Sequence, residues 1–287
     1  MKKTIHSLLR RHPPLRFAAD VADVYFSKKV GRAAAELAYF MILTFFPVII
    51  CVSAFLNELE LDFVPLLEQM NPFLPSGVLA IFQDYLTYID TNQSAAMLIS
   101  GALLTILFAS AAVRGLMNMM DDLYGRATFH GLWQLAASIM FSVLLLVTIY
   151  VSIAVVVTGN WFFRLLGQAL GLEDLVQRFN VWQSVKYLLL LSLVFFFILL
   201  LYRFAAPLDD PRPPVVPGAL AASVALAAAS AIFSFLMSNS TRYSLVYGSL
   251  ASMIILLVWL YLCGNVLIIG NAVNYVLFTR RREKDRA

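Results

Sequence analysis

The side chains that could do chemistry in this chain are few, and nearly all of them sit in or beside long apolar runs. Glu36 follows Arg32 at an i, i+4 spacing just inside one such run. Its plain role is an ion pair one turn back along a helix; its chemical role is a carboxylate that titrates or binds substrate in a membrane. Tyr39 lies on the same run, and Asn271 and Asn274 lie near the end of the last one. An amide in hydrocarbon either bonds neighbouring helices together, at ~0.6–2 kcal/mol each, or takes a ligand. Glu36, Tyr39, Asn271 and Asn274 are therefore the candidates for a substrate pathway. Arg114 closes another run and is followed at helical spacings by Asn118, Asp121 and Asp122, either a solvated surface or a gate. Arg242, in the turn Asn239-Ser240-Thr241-Arg242-Tyr243, is either an interfacial anchor or a gate residue that steers an anion.

Other chemistries lack their residues. His6, His12 and His130 lie outside the apolar runs and in no metal-ligand spacing. No glycine-rich phosphate loop, nucleophile elbow or His-Glu-x-x-His run occurs. Cys51 and Cys263 both fall inside apolar runs and read as buried free thiols. The sequence implies no enzyme, no metal and no cofactor. Its basic termini either set orientation or touch anionic lipid headgroups; without an aromatic platform they imply no nucleic acid.

The elements that must position these residues are membrane spans. The 287 residues are 61% hydrophobic and 13% charged, with a mean hydropathy of +0.81, whereas soluble domains lie near ~45–50% and ~25%. A helix needs ~20 apolar residues to cross ~30 Å of hydrocarbon. That length predicts spans over about 33–56, 95–113, 132–157, 185–202, 215–237 and 247–275. The expected fold class is all-α: a polytopic membrane protein with six transmembrane helices in a single domain over 1–287. Short amphipathic helices are expected at the N-terminus and in the outer loops. In the basic segment 1–32, Phe17, Val21, Val24 and Tyr25 share a face, as for a helix lying in the membrane surface. Phe63, Leu66, Leu67 and Met70, then Leu79, Phe82, Leu86 and Ile89, outline two more.

Pro47 should kink the first span, and Gly248 and Gly270 are the shape-setting glycines of the last. On that last span Ser249, Ser252, Cys263, Gly270, Asn271 and Asn274 share a face, while Asn265 points elsewhere. Trp259 and Tyr261 sit mid-span and are expected to pack against other helices. The fifth span carries Gly218, Ala222, Ala225 and Ala229 at small-xxx-small spacing, which places it in the tightly packed interior. Lysines and arginines number 17 on the side of the termini and 4 on the other. The positive-inside rule then puts both termini, including the basic tail 279–287, in the cytoplasm. Met1-Lys2-Lys3 is not followed by an apolar stretch, so no cleaved signal peptide is expected. Six spans with both ends inside permit two inverted halves, a symmetry the sequence does not display.

Arg32-Ala33-Ala34-Ala35-Glu36-Leu37-Ala38-Tyr39-Phe40, followed by Phe45-Phe46-Pro47, resembles the opening signature of the BrkB/YihY-type inner-membrane proteins. Pro217-Gly218-Ala219 resembles that family's entry to the fifth span. Tyr247-Gly248-Ser249, Trp259-Leu260-Tyr261 and Gly270-Asn271-Ala272-Val273-Asn274 are similar to its ending. Where the family carries a glutamate in that ending this chain has Ala272, so any role of that carboxylate is absent or falls to Glu36. The resemblance implies a six-span protein of the bacterial plasma (inner) membrane, in a family whose members are described as transporters or virulence-associated factors. A ribonuclease label travels with the family, and the residues above do not support it. The expectation is a multi-pass plasma-membrane transporter, or a translocator of lipids or other amphiphiles, whose substrate the sequence does not specify. The alternative is a non-transporting membrane scaffold for envelope assembly or stress resistance. Membrane lipids are expected partners, with a homo-oligomer or an envelope protein left open.

Overall fold

Hydrocarbon offers backbone amides no water to bond, so each apolar run must close its own hydrogen bonds as a helix. The computed structural model describes residues 13–58, 76–91, 94–125, 131–170, 181–206, 213–238 and 250–286. Among them the helices are α1 (Pro13–Ser27), α2 (Val30–Glu58), α3 (Ser76–Thr91), α4 (Ala95–Tyr124), α5 (Leu132–Leu170), α6 (Val181–Ala205), α7 (Val216–Ser238) and α8 (Ala251–Arg286). Six of these, α2 and α4 to α8, are long and apolar enough to cross a membrane, as the sequence predicts.

The spans pack in chain order, each against the next, and α8 returns to α2 and closes the ring. Enclosure is uneven: 44% of the apolar stretch of α2 and 39% of that of α8 is buried, against 22% for α7. The interior position expected for α7 is therefore corrected. Ala219, Ala222 and Ser223 are buried, but Ala225 is exposed, and so are Leu220, Val224, Ile232, Phe235 and Leu236. The small residues seat one face of α7 closely on its neighbour; they do not enclose the helix.

Three spans run well past the apolar lengths expected of them, among them α5, which continues to Leu170. The Ser94 hydroxyl caps α4 by accepting from the Met97 amide (3.2 Å), and Gly125, at φ 70°, ends it. No breaker lies between, so Arg114, Asn118, Asp121 and Asp122 belong to a helix that continues past Val113. Likewise α8 carries on to Arg286, which makes most of the basic tail helical.

That extension gives α1 a protein surface to bind. Its stripe of Phe17, Val21, Val24 and Tyr25 is half-buried, against α8 and α2, where the sequence placed it in the membrane surface. Arg280 clasps Asp20 through Nε (3.0 Å) and Nη2 (2.5 Å) and lies over the Phe17 ring. The Tyr25 hydroxyl donates to Asn265 Oδ1 (3.0 Å). Asn265, expected to point away from the packed face, is thus buried all the same, because α1 covers it.

At the other end α3 buries Val78, Leu79, Leu86 and Ile89 in a cluster with Ala38, Ile49, Ile50, Leu256 and Leu260. Phe82 and Tyr85 meet Phe45 and Phe46 edge to face, so α3 caps this end of the bundle. The companion helix expected around Phe63–Met70 lies outside the described residues. Pro47 is buried inside α2 without ending it. Cys51 and Cys263 are free and buried, and Trp259 Nε1 donates to Ser230 Oγ (3.3 Å) between α8 and α7.

Candidate functional site

The start of α7 poses a local problem. A helix leaves its first amides without partners, and Pro217 removes only one of them. The Gly218 amide is satisfied from another helix: it donates to Asn274 Oδ1 (2.7 Å), while Asn274 Nδ2 donates to the Val215 carbonyl (3.2 Å). Asn274, 0% exposed, is a cap supplied by α8 to α7. The two backbones must touch for it to reach. A Cβ on Gly218 would overlap the Gly270 carbonyl and the Asn274 amide, and one on Gly270 would lie 2.6 Å from Ala222 Cβ and 2.6 Å from Tyr202 Oη.

One turn earlier on α8 the situation reverses. Asn271 is 1% exposed, yet neither its Oδ1 nor its Nδ2 has a hydrogen-bond partner. The Tyr124 hydroxyl, at the end of α4, is buried and unpartnered as well. Its ring packs edge to face on Tyr275 and Phe278. Tyr202, near the end of α6, donates to the Leu267 carbonyl, lies beside the Asn271 backbone amide and is within electrostatic reach of Tyr124. Helices α4 and α6 so bring two phenols together near the Asn271 backbone, beside the α7–α8 crossing. A buried polar group left unsatisfied costs ~1–3 kcal/mol. The patch offers uncharged donors and acceptors, suited to a hydroxyl, amide or water.

The four pathway candidates fall in two places. Asn271 and Asn274 are enclosed, whereas Tyr39 is 56% exposed and Glu36 is exposed as well. The Arg32–Glu36 ion pair does not form; an exposed pair is worth only ~0–1 kcal/mol, too little to hold two long side chains. The Glu36 carboxylate instead reaches over α4, with Oε1 3.5 Å from where a Cβ on Gly115 would stand. The gate candidates Arg114 and Asn118 do not bond each other. Arg114 Nη1 donates to Ser110 Oγ (3.2 Å) and Ser138 Oγ (3.4 Å), and Asn118 Oδ1 accepts from Gln134 Nε2 (2.6 Å), which stitches α4 to α5. Arg242 and Gly248 lie outside the described residues.

Sequence reasoning passed over Tyr124 and Tyr202, since a tyrosine closing an apolar run looks like an ordinary interfacial anchor. It counted Lys186 only toward orientation, yet Lys186 is 2% exposed, with Nζ 5.3 Å from the centre of the Tyr187 ring. In the clasp of α1, burial and then the neighbouring Tyr261 push the Tyr25 phenol up, which keeps it a neutral donor to Asn265. Among the described residues, no group of three or more His, Cys, Asp or Glu could hold a metal ion.

The sequence pattern of the family described as virulence factor BrkB matches residues 21–287. The ribonuclease-like protein YfkH of Bacillus subtilis is 25% identical over 272 residues, covering 94% of this chain and 98% of its own. A UPF0761 membrane protein of Xanthomonas campestris is 26% identical over 263 residues, which cover 86% of this chain and 57% of the relative. One from Acinetobacter baylyi is 43% identical over 53 residues, 18% of this chain and 13% of the relative. No solved structure matches.

Proposed function

The chain belongs to the BrkB family of multi-pass membrane proteins, and from that premise we propose that it translocates a lipid or another amphiphile across the bacterial inner membrane. One observation carries this reading: Asn271 keeps both polar atoms unbonded inside the ring of spans. A bundle with no task but to hold together gains by bonding such an amide, as it bonds Asn274. An amide and a phenol left unsatisfied are disadvantageous in this state and useful in another, where a moving substrate bonds them.

The Gly218–Gly270 contact supplies the movement. Backbone rests on backbone there, so α7 can rock on α8 with few side chains to unlock. Lys28, Lys29, Arg32, Arg203 and Arg280 to Arg282 fall at the end near the patch, which the positive-inside rule assigns to the cytoplasm together with both termini. In this reading Arg242 stands at the mouth opposite the cytoplasmic end, while Arg114 and Asn118 lie at the cytoplasmic edge of the ring on the outward face of α4.

The test is reconstitution in liposomes carrying labelled lipids. The wild-type protein should move label between leaflets, and Asn271→Leu should slow that movement at least tenfold while eluting as a folded protein. Absence of protein-dependent movement for every lipid class tried would overturn translocation. The second reading, a membrane scaffold, is favoured by the enclosure of the same patch and by the complete bonding of Asn274. It requires Asn271→Leu and Glu36→Gln to behave as wild type in cells. The ribonuclease-like name of the Bacillus relative is not carried over to this chain.

A further inference from the structure

One face of α4 turns out of the ring. Ile99, Leu103, Leu104 and Leu107 are exposed along it, and toward the basic end it continues into half-buried Arg114 and exposed Asn118. Helices α2 and α5 flank this face, which carries small residues at Ala111 and Gly115 toward its basic end. At 1.5 Å per residue the rise from Leu103 to Arg114 is about 16 Å, close to the thickness of one hydrocarbon leaflet, about 15 Å.

Arg114 and Glu36 stand at the polar end, with Asp121 and Asp122 farther along α4, and among the described residues neither Arg114 nor Glu36 has an ion-pair partner. Arg114 is ionised at any accessible pH. Its partners are the hydroxyls of Ser110 and Ser138, which give their own protons to the Leu107 (2.9 Å) and Leu135 (2.7 Å) carbonyls. Both accept from Nη1, so Nε and Nη2 remain free and no carboxylate binds the guanidinium. Asn118 accepts from Gln134 and keeps its Nδ2 free. On the α2 side the Glu36 carboxylate lies over Gly115, the residue next to Arg114, and makes no ion pair. The serines draw Arg114 toward α5, away from Glu36. Unpaired charges at a membrane edge are costly, and what they lack is a ligand carrying both complementary charges.

We propose that this face of α4 binds a glycerophospholipid with a zwitterionic, amine-bearing headgroup. The phosphate takes free guanidinium donors of Arg114 and the Asn118 amide; the ammonium lies against Glu36; one acyl chain follows Leu107, Leu104 and Leu103. A purely anionic headgroup would match Arg114 and leave Glu36 facing like charge. This face holds its lipid whether or not the bundle transports, so the inference stands apart from translocation.

The experiment places the full-length protein in mixed micelles of phosphatidylethanolamine and phosphatidylglycerol at equal amounts and weighs the retained lipid by native mass spectrometry. The wild type should retain phosphatidylethanolamine at least fivefold over phosphatidylglycerol. Glu36→Gln should bring that ratio to about one while total retention holds, and Arg114→Gln should lower retention of both lipids at least fivefold. Gly115→Leu, which puts bulk beside Glu36 and keeps both charges, should also lower retention and serves if Arg114→Gln does not fold. Equal retention of the two lipids by the wild type, a ratio unchanged in Glu36→Gln, retention unchanged in both Arg114→Gln and Gly115→Leu, or displacement of the bound lipid by free phosphoethanolamine would each overturn the proposal.

Discussion

Asn271 and Asn274 stand one turn apart on α8, and the bundle treats them in opposite ways. Asn274 bonds at both ends of its amide and finishes the first turn of α7. Asn271 is as deeply enclosed and bonds at neither. The difference separates two uses of a polar side chain in hydrocarbon: one satisfies a helix terminus, and the other holds hydrogen-bonding capacity that the closed bundle leaves unspent.

Substitutions can break or sharpen that contrast. The largest effect belongs to the crossing both amides depend on: Gly218→Leu drives a side chain into the Gly270 carbonyl, so no monodisperse protein should be recovered on size exclusion. Asn274→Leu comes next. It strands the Gly218 amide in a dry interior and should lower stability by about 1–3 kcal/mol, read as an earlier unfolding midpoint in detergent. Asn271→Leu should act in the other direction, leaving stability within about 1 kcal/mol of wild type or raising it, since it removes two unsatisfied atoms and no bond. A loss matching that of Asn274→Leu would erase the distinction between the two amides. The smallest effect is expected at the surface clasp. Asp20→Asn leaves Arg280 half in solvent and should cost less than about 1 kcal/mol, with the loss shrinking as salt is raised.

Much of the fold was legible because hydrocarbon accepts so few solutions. Apolar length alone located the six spans. The amphipathic spacing of Phe17, Val21, Val24 and Tyr25 correctly indicated a helix and misjudged what it faces, because periodicity identifies an apolar stripe and not the partner that covers it. Helices α4, α5 and α8 exceed their apolar runs for a related reason: hydropathy reports where lipid stops, whereas a helix stops at a residue such as Gly125. For the candidate site, residue type was informative and grouping was not. Residue type marks Asn271 and Asn274 as costly to bury, but it groups them with Glu36 and Tyr39 in a single expected pathway that the ring divides into an enclosed patch and an outer face.

What the sequence by itself determined is the solvent: 61% hydrophobic residues in runs of this length leave helices crossing a bilayer as the only way to close every backbone hydrogen bond. Only the tertiary structure decided which amide is bonded. That depends on two glycines on different helices letting α7 and α8 touch, which brings Asn274 to the Gly218 amide and leaves Asn271 one turn away with neither polar atom bonded. Backbone solvation is a local requirement that composition can reveal, whereas satisfying one buried side chain requires positions that only packing sets.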